Sequence, residues 1–382
     1  VYPTLKQKET LNSWFGCARW TYNECVKLIK SRKVKANRGA LRKACVNNCN
    51  FKDKDQWVTE TPYEIRDAAM IDVVHAVDTN IKKGVRFDLK FRSRRDESQS
   101  ISIRKRDWNT RQRGQFKFMN STDLKSPETL PDELECDSTL IRTRLGHYYL
   151  CLPMELKVRS AENQGTFGTI QSACVDGVIS LDPGIRTFMT GYDASGQSWE
   201  WGKQDIQRIY RLCHTADKLQ SKWSEKDIKH KKRYSLQKAA RRVRLKIRNL
   251  IDEVHKKLAK WLCENYKVVL LPKFETSQML RRGQRKLNSK SARAMATWAH
   301  FRFRQRLLQK SNMYNGMSVV ACDEAYTSKT CGHCGELSTT LGGSKVFKCT
   351  TCASEFDRDV NGARNILLRY MTIHCHEICT SV

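Results

Sequence analysis

Apolar positions recur at helical spacing through the first 83 residues of the chain. From Leu11 through Phe15 to Val26 they return every three or four residues, which predicts helices that bury one face. From residue 85 to about residue 158 the pattern changes to short, partly alternating runs bounded by polar stretches, which is typical of strands. The predicted strands cover residues 87–91, 100–104, 115–118 and 148–152. A helical region is therefore followed by an antiparallel sheet or small barrel.

A polar stretch at residues 159–173 marks a boundary, after which the pattern is that of a mixed sheet. Three predicted strands (175–181, 187–192 and 198–201) are separated by short turns, and a long amphipathic helix follows from Leu236 to Trp261. Further apolar runs at 267–272 and 318–322 predict two more strands, each separated by helical sequence. Three antiparallel strands followed by helix, strand, helix, strand and helix is the order of the ribonuclease H fold, in which the fourth strand lies beside the first.

The charge of the chain points to a polyanionic partner. Lysine and arginine number 70 against 40 acidic residues, giving a formal net charge of +30. Nucleic acid is favoured over a membrane because no run of about 18 apolar residues is present. The basic side chains expected to contact phosphates lie on the long helix and on a later basic and aromatic helix with Trp298 and Phe301: Lys231, Lys232, Arg233, Arg241, Arg242, Arg302 and Arg304.

Four cysteines near the C-terminal end form a C-x2-C pair that is repeated after a gap of 14 residues. Two such pairs can place four thiolates around one Zn2+, and we prefer this structural site to four unrelated thiols. The proposed ligands are Cys331, Cys334, Cys349 and Cys352. The chain has sixteen cysteines and no signal-peptide pattern, which favours a reducing compartment.

Two aspartates stand where a sheet edge and a helix start would expose them. Asp182 ends a predicted strand before a Pro-Gly turn, and Asp359 opens the last predicted helix. Two such carboxylates and a glutamate would form an oxygen-rich site for Mg2+ ions, which could activate water and stabilise the leaving oxygen of a phosphodiester. Taken singly, an aspartate at the position of Asp182 is more often a turn residue, and one at the position of Asp359 is more often a helix cap.

Three segments carry a specific family resemblance. They read LDPGIR at residues 181–186, AYTSKTCGHCG at 325–335 and DRDVNGARNIL at 357–367. Together they resemble the RuvC-like nuclease of the TnpB proteins and of their eukaryotic relatives, the Fanzor proteins, and the cysteine-rich character favours the Fanzor branch. The resemblance is most specific over residues 174–370. It implies an RNA-guided DNA endonuclease that acts as a monomer, with a guide RNA and target double-stranded DNA as partners, no membrane association and a nuclear location.

The resemblance also implies a domain organisation. We expect a wedge-type β-barrel formed by residues 1–6 and 84–173, with an inserted helical recognition lobe at 7–83. An α/β RNase H-like (RuvC) nuclease domain would comprise residues 174–325 and 357–382. A zinc ribbon at residues 326–356 would interrupt that domain.

Catalytic residues transfer to this chain by motif position. Asp182 matches the first catalytic aspartate, and Asp359 fits the pattern of the last one better than Asp357 does. Pro272 occupies the position of the glutamate in bacterial TnpB proteins. Glu324 is the preferred replacement and Glu275 the alternative, since Glu324 directly follows a strand that would neighbour the strand ending at Pro272. Two Mg2+ ions would bind to Asp182, Glu324 and Asp359.

Two other functions remain open on the sequence alone. One is a transposase or resolvase nuclease of the same fold that needs no guide. The other is a zinc-ribbon regulator that binds nucleic acid and has lost catalysis, which the proline at position 272 keeps possible.

Overall fold

The computed structural model describes residues 1–47, 51, 53–84, 87–109, 116–117, 124–156, 158, 177–281, 288–323, 325–338 and 344–379. The chain divides into two compact units, Val1–Glu155 and Leu156–Val382. The domain bounds expected from the sequence stay a prediction.

The first unit begins with three α-helices. They are α1 (Leu5–Lys30), α2 (Arg38–Cys45) and α3 (Tyr63–Lys82), with a 3-10 helix at Asp53–Glu60 before α3. Thr4 starts α1 with a capping box, because its side chain accepts from the Gln7 backbone while the Gln7 side chain accepts from the Thr4 backbone. The helices bury a shared apolar core that includes Leu41 and Met70. The predicted helical region is confirmed.

An antiparallel three-stranded sheet completes the first unit. Its strands are β1 (Ser98–Ile103), β2 (Ser138–Thr143) and β3 (Tyr148–Cys151), in that order. Leu11 of α1 and Ile65 of α3 lie in one core with Ile101 and Leu140 of the sheet. Closure of this sheet into a barrel stays a prediction.

The strand predicted at residues 87–91 is wrong. Phe87 and Phe91 are exposed, and the segment carries no strand. The amide side chain of Asn23 instead accepts from the Arg92 backbone N–H (2.8 Å) and donates to the Arg92 carbonyl (2.9 Å). A side chain of α1 thus takes the bonding groups that a neighbouring strand would use. Of the predicted strand 115–118, only residues 116 and 117 are described.

The second unit is built on a five-stranded mixed sheet. Its strands are β4 (Val178–Pro183), β5 (Met189–Asp193), β6 (Ser198–Trp201), β7 (Val268–Pro272) and β8 (Ser318–Cys322). The order across the sheet is β6-β5-β4-β7-β8, in which β4, β5 and β6 pair antiparallel while β7 runs parallel to both β4 and β8. The mixed α/β fold is confirmed, and the fourth strand lies beside the first as predicted.

Helices cover this sheet and extend from it. They are α4 (Asp205–Ser224), α5 (His230–Asn265), α6 (Thr276–Met279), α7 (Ser289–Trp298) and α8 (His300–Ser311). Ile209 of α4, Leu258 of α5 and Phe303 of α8 join Ile179 and Val269 of the sheet in one core. The sequence prediction missed α4. None of the helices within the described ranges is long and apolar enough to cross a membrane.

The last part of the second unit is a small hairpin followed by a long helix. Strands β9 (Val346–Lys348) and β10 (Glu355–Asp357) pair antiparallel, and α9 (Arg358–Cys379) begins at the residue after β10. Ile366 and Leu367 of α9 pack against Leu270 of β7. The start of α9 is thereby held against the five-stranded sheet.

Candidate functional site

The end of β4 and the first turns of α9 are in direct contact. The Ser180 hydroxyl lies 2.7 Å from the carbonyl oxygen of Ala363 and 2.9 Å from that of Tyr192. Two residues further along β4, the Asp182 carboxylate lies so close to Gly362 that a Cβ at that position would be 2.7 Å from Asp182 Oδ2. Glycine is needed here because any side chain would displace the carboxylate. The structure therefore brings Asp182 to the helix turn that starts with Asp359.

Asp357 and Asp359 are two residues apart but have different environments. Asp357 Oδ1 accepts from the backbone N–H groups of Asp359 (3.0 Å) and Val360 (3.4 Å), while its other oxygen lies 3.0 Å from Lys345 Nζ. Burial acts to raise the pKa of Asp357, but the bonds from Lys345 and from the helix backbone leave that pKa below its ordinary value. Asp357 is thus a helix cap engaged in an ion pair.

Asp359 has no comparable cap role. Its side chain is only 18% exposed, and Arg358 is 3.7 Å away. Burial raises the pKa of Asp359, and the carboxylates of Asp357 and Glu200 raise it further, against the opposing charges of Arg358 and Lys345. A half-buried carboxylate near the contact of Asp182 with Gly362 is a candidate cation ligand.

A lysine connects this region to the sheet, and the sequence did not reveal it. Lys345 Nζ lies 3.3 Å from Glu200 Oε1 on β6 and 3.0 Å from Asp357 Oδ2. The Asp357 hydrogen bond raises the pKa of Lys345. Burial acts to raise the pKa of Glu200, whereas Lys203 and Lys345 lower it below the ordinary value. Glu200 and Lys345 are far apart in sequence, so only the fold brings them together.

The four cysteines predicted as zinc ligands form one cluster. Their sulfur atoms all lie within 4.8 Å of one another, with Cys331 and Cys352 at 3.7 Å and Cys334 and Cys349 at 3.6 Å. Tetrahedral Zn–S bonds of about 2.3 Å place sulfurs about 3.8 Å apart, so the spacing fits a zinc ion. Ser354, through its side chain and then its backbone, lowers the pKa of Cys352 to about 5. The cluster can therefore hold one zinc ion.

Asparagines of α9 attach the cysteine cluster to the helix. Asn361 accepts from the Gly332 backbone N–H and donates to the Thr330 carbonyl, both at 2.8 Å. Asn365 donates to the carbonyls of Thr327 (2.8 Å) and Thr330 (2.7 Å). These polar residues of the 357–367 motif thus bind the segment around the first cysteine pair. They are not placed as metal ligands.

The turn after Asp182 is stabilised by a close backbone approach at Gly184 and by a hydrogen bond from Trp298. Gly184 is required because a Cβ would lie 2.5 Å from the Thr187 carbonyl oxygen, and Trp298 Nε1 donates to the Ile185 carbonyl at 3.0 Å. Trp298 is fully buried, so it packs and does not stack on a ligand, whereas Phe301 is 66% exposed. The two residues proposed together from the sequence therefore have different environments.

Two buried histidines lie beneath the same turn. The rings of His255 and His300 stack on Phe188 with centroids at 4.8 and 5.0 Å. Burial, followed by the charges of Arg302 and Arg306, lowers the pKa of His255 to about 3, and burial lowers that of His300 to about 4. Both rings are neutral at physiological pH and support the turn by packing.

The two candidate glutamates are placed differently. Glu275 is exposed at the start of α6, and Glu324 lies outside the described residues. Pro272 on β7 pairs with Cys322 on β8, so these strands are neighbours, which was the condition for preferring Glu324. The choice between the two glutamates stays a prediction.

The basic residues chosen from the sequence lie on two parts of the second unit. Lys231, Lys232 and Arg242 are exposed on α5, while Arg233 donates to the carbonyls of Glu225 and Lys226. The others are only partly exposed: Arg241, Arg302 and Arg304. Arg302 also lies 3.2 Å from Asp252, an ion-pair partner that it shares with Arg306. Roles in nucleic-acid contact stay predictions.

Family models match two segments of the chain, and its structure is similar to a solved structure. Residues 300–366 match the family model "Cas12f1-like, TNB domain", and residues 1–34 match a "Helix-turn-helix domain" model. The structure is similar to the Cas12f1 chain in the cryo-EM structure of the Cas12f1-sgRNA-target DNA complex, with a TM-score of 0.50 and 14% identity, covering 95% of this chain and 83% of that one. The likeness is one of fold.

Curated relatives extend over nearly the whole chain. "Putative transposase A625R" of Paramecium bursaria Chlorella virus 1 is 27% identical, covering 97% of this chain and 85% of the relative. "TnpB-like protein L79" of Acanthamoeba polyphaga mimivirus is 26% identical, with coverages of 96% and 71%. A Streptomyces pristinaespiralis protein named "Putative RNA-guided DNA endonuclease" is 23% identical, with coverages of 96% and 87%.

The mixed sheet of the second unit is joined through α9 to the cysteine cluster, and the chain has a fold similar to that of Cas12f1. Over nearly its whole length the chain is similar to a putative transposase and to TnpB-like proteins of viruses.

Proposed function

We propose that this protein is an RNA-guided DNA endonuclease that cuts target DNA by Mg2+-dependent hydrolysis at a single carboxylate site. The observation that carries the proposal is the contact of Asp182 with Gly362, in the turn that Asp359 opens. Gly362 is three residues after Asp359, so carboxylates from two separate segments belong to one region at the start of α9, where a hard divalent cation could bind them. The names of relatives, which include an RNA-guided DNA endonuclease, support the same reading.

Asp182 and Asp359 are the proposed ligands of two Mg2+ ions. When bound, the ions would lower the pKa of the attacking water and stabilise charge on the leaving oxygen. Within the protein, Gly362 permits Asp182 to approach the helix. The Asp357 cap fixes the first turn of α9, and with it the direction of Asp359.

Glu324 is the proposed third carboxylate, with Glu275 as the alternative. Cys322 at the end of β8 pairs with Pro272 at the end of β7. Glu324 follows two residues after Cys322, so we propose that its carboxylate approaches the end of the sheet where Asp182 lies. Glu275 is exposed at the start of α6. Substitution of each glutamate by glutamine, with cleavage as the readout, identifies the residue.

Guide RNA and target double-stranded DNA are the proposed partners. A net charge of +30 supports polyanion binding, and the exposed lysines 231 and 232 on α5 are suited to phosphate contact. A zinc ion in the cysteine cluster would be structural, since four thiolates close the coordination sphere. We further propose that the protein is of the Fanzor branch, in keeping with the viral relatives. A monomer that acts in the nucleus is also part of the proposal.

The test is cleavage of plasmid DNA by protein purified with its own RNA. We expect cleavage in Mg2+, none in EDTA, and none after the RNA is digested. Asp359→Asn should abolish cleavage, whereas Asp357→Asn, which retains a capping oxygen, should leave part of it. Cleavage by RNA-free protein would instead indicate an unguided transposase or resolvase nuclease.

A catalytically inactive regulator is the second candidate, favoured by one observation. Pro272 stands on β7 two residues past the Ser180–Leu270 pair, level with Asp182, and supplies no carboxylate there. If wild-type protein binds RNA and DNA but shows no cleavage with Mg2+ or with Mn2+, the protein is a catalytically inactive regulator.

A further inference from the structure

Lys345 makes contacts that the proposed nuclease chemistry does not use. It immediately precedes β9 of the hairpin formed by β9 and β10, which carries Cys349 and Cys352 and is called the cysteine hairpin below. Its ammonium group lies between Glu200 on β6 and Asp357 at the end of β10. Its side chain is 36% exposed, and its own carbonyl accepts from the Arg358 backbone N–H at 2.8 Å. One residue of the hairpin is thus joined to both the sheet and the start of α9.

Each contact leads to one of the two candidate metal ligands. On the sheet side, Glu200 Oε1 also lies 3.4 Å from the Thr187 hydroxyl, in the turn that follows Asp182. Thr190 pairs with both Asp182 and Glu200 across the sheet, so the two acidic residues share one row. On the helix side, Asp357 accepts from the Asp359 backbone N–H and so sets the first turn of α9.

We propose that Lys345 is a positioning residue that fixes the separation of Asp182 and Asp359, and so transmits the placement of the cysteine hairpin to the metal-binding carboxylates. The proposal rests on the proposed function, since it assumes that these aspartates bind divalent cations. Lys345 does not contact the reacting atoms. It acts through Glu200 and Asp357, as residues outside a metal's ligand shell commonly orient the ligands.

If Lys345 acted only through its charge, removing that charge would strengthen cation binding, whereas loss of a positioning contact would weaken it. Loss of the ammonium group alone removes the Lys345 counter-ion from Asp357 and leaves Glu200 with only Lys203, and the added negative potential would attract a divalent cation more strongly. Loss of the positioning contact would weaken cation binding. The paired change Lys345→Met with Glu200→Gln removes one charge of each sign, so the net charge of the cluster is conserved and the measurement reports geometry.

The hairpin also supplies a matched control. Lys348 and Glu355 form an ion pair on the same two strands, with side chains 70% and 54% exposed. The double change Lys348→Met with Glu355→Gln also removes one positive and one negative charge, and it does so on the two strands that follow Lys345. Neither residue contacts Glu200, Asp357 or α9 through any bond recorded among the described residues. Exposed pairs of this kind contribute little to stability.

Cation binding is measured directly with Fe2+ in place of Mg2+. In the presence of ascorbate and hydrogen peroxide, a bound iron generates radicals that cut the polypeptide near its ligands, so the yield of fragments ending near positions 182 and 359 reports occupancy. The full chain with its RNA is titrated with Fe2+. Wild-type protein and the Asp182→Ala variant give the upper and lower limits, and zinc content is measured in every sample.

We expect the Lys345→Met, Glu200→Gln double variant to need about 10-fold to 100-fold more Fe2+ for half-maximal fragmentation, with zinc content unchanged. Lys345→Arg, which keeps the charge and its donors, should restore most of the affinity, and the Lys348/Glu355 control should match wild type. A double variant that binds Fe2+ like wild type overturns the positioning role. Absence of fragments at both positions in wild type, with or without DNA cleavage, instead contradicts the carboxylate site itself.

Discussion

Gly362→Ala should impair DNA cleavage while leaving the stability of the fold nearly unchanged. In the middle of a helix, alanine in place of glycine ordinarily stabilises by about 1 kcal/mol. Here the new Cβ would lie 2.7 Å from Asp182 Oδ2 and 3.4 Å from its Cγ. The oxygen must withdraw by about 0.7 Å to reach an ordinary van der Waals contact, because the Cβ belongs to the helix and cannot move freely.

A displacement of this size in a metal ligand should lower cleavage strongly without unfolding the protein. We expect the DNA cleavage rate of Gly362→Ala to fall about 100-fold, while the free energy of unfolding in urea stays within about 1 kcal/mol of wild type. Gly39→Ala is the control, since its Cβ would meet nothing nearer than the Asn37 side chain at 3.8 Å. Wild-type cleavage by Gly362→Ala would refute the reasoning that Asp182 acts at this contact.

Three further predictions concern zinc, acid stability and salt. We expect wild-type protein to contain one zinc ion per chain by mass spectrometry and Cys352→Ser to contain less. Cys136 is an exposed cysteine outside the cluster, so Cys136→Ser should keep the wild-type zinc content. Because the folded pKa of His255 is about 3, below its ordinary value of 6.5, its contribution to stability is complete above pH 6.5 and is lost as the pH falls toward 3. Lowering the pH from 7 to 5 should cost wild type about 2 kcal/mol more in urea unfolding than His255→Gln, and an equal cost in both would contradict this. Lys232→Gln should reduce the slope of log affinity for nucleic acid against log salt by about 1, with an unchanged slope showing that this side chain makes no phosphate contact.

The order of the main sheet could be predicted because its apolar runs are short, buried and separated by clear turns. The three antiparallel strands and the two later strands all occur, and β7 lies beside β4. Helix α4 was missed although Ile206, Ile209 and Cys213 recur at helical spacing, because only four of its residues are buried and its polar surface masks the pattern. The strand expected at residues 87–91 does not form, and at its C-terminal end the backbone of Arg92 bonds to the side chain of Asn23, which is distant in sequence.

The candidate site could be predicted only where its residues belong to local motifs. The cysteine spacing indicated a cluster, and the structure places the four sulfurs within 4.8 Å of one another. The partnership of Glu200 and Lys345 could not be predicted, since it depends on β6 and the hairpin meeting in space. The same holds for Gly362, whose role appears only once Asp182 lies against it.

The most direct test of an RNA-guided nuclease is to change the guide. The RNA that copurifies with the protein is sequenced, its target-matching segment is replaced, and the reconstituted complex is given two plasmids that match the old and the new segment. We expect cleavage in Mg2+ to move to the new plasmid and to be abolished by Asp182→Ala. Cleavage that stays on the old plasmid, or that occurs equally on both, would contradict it.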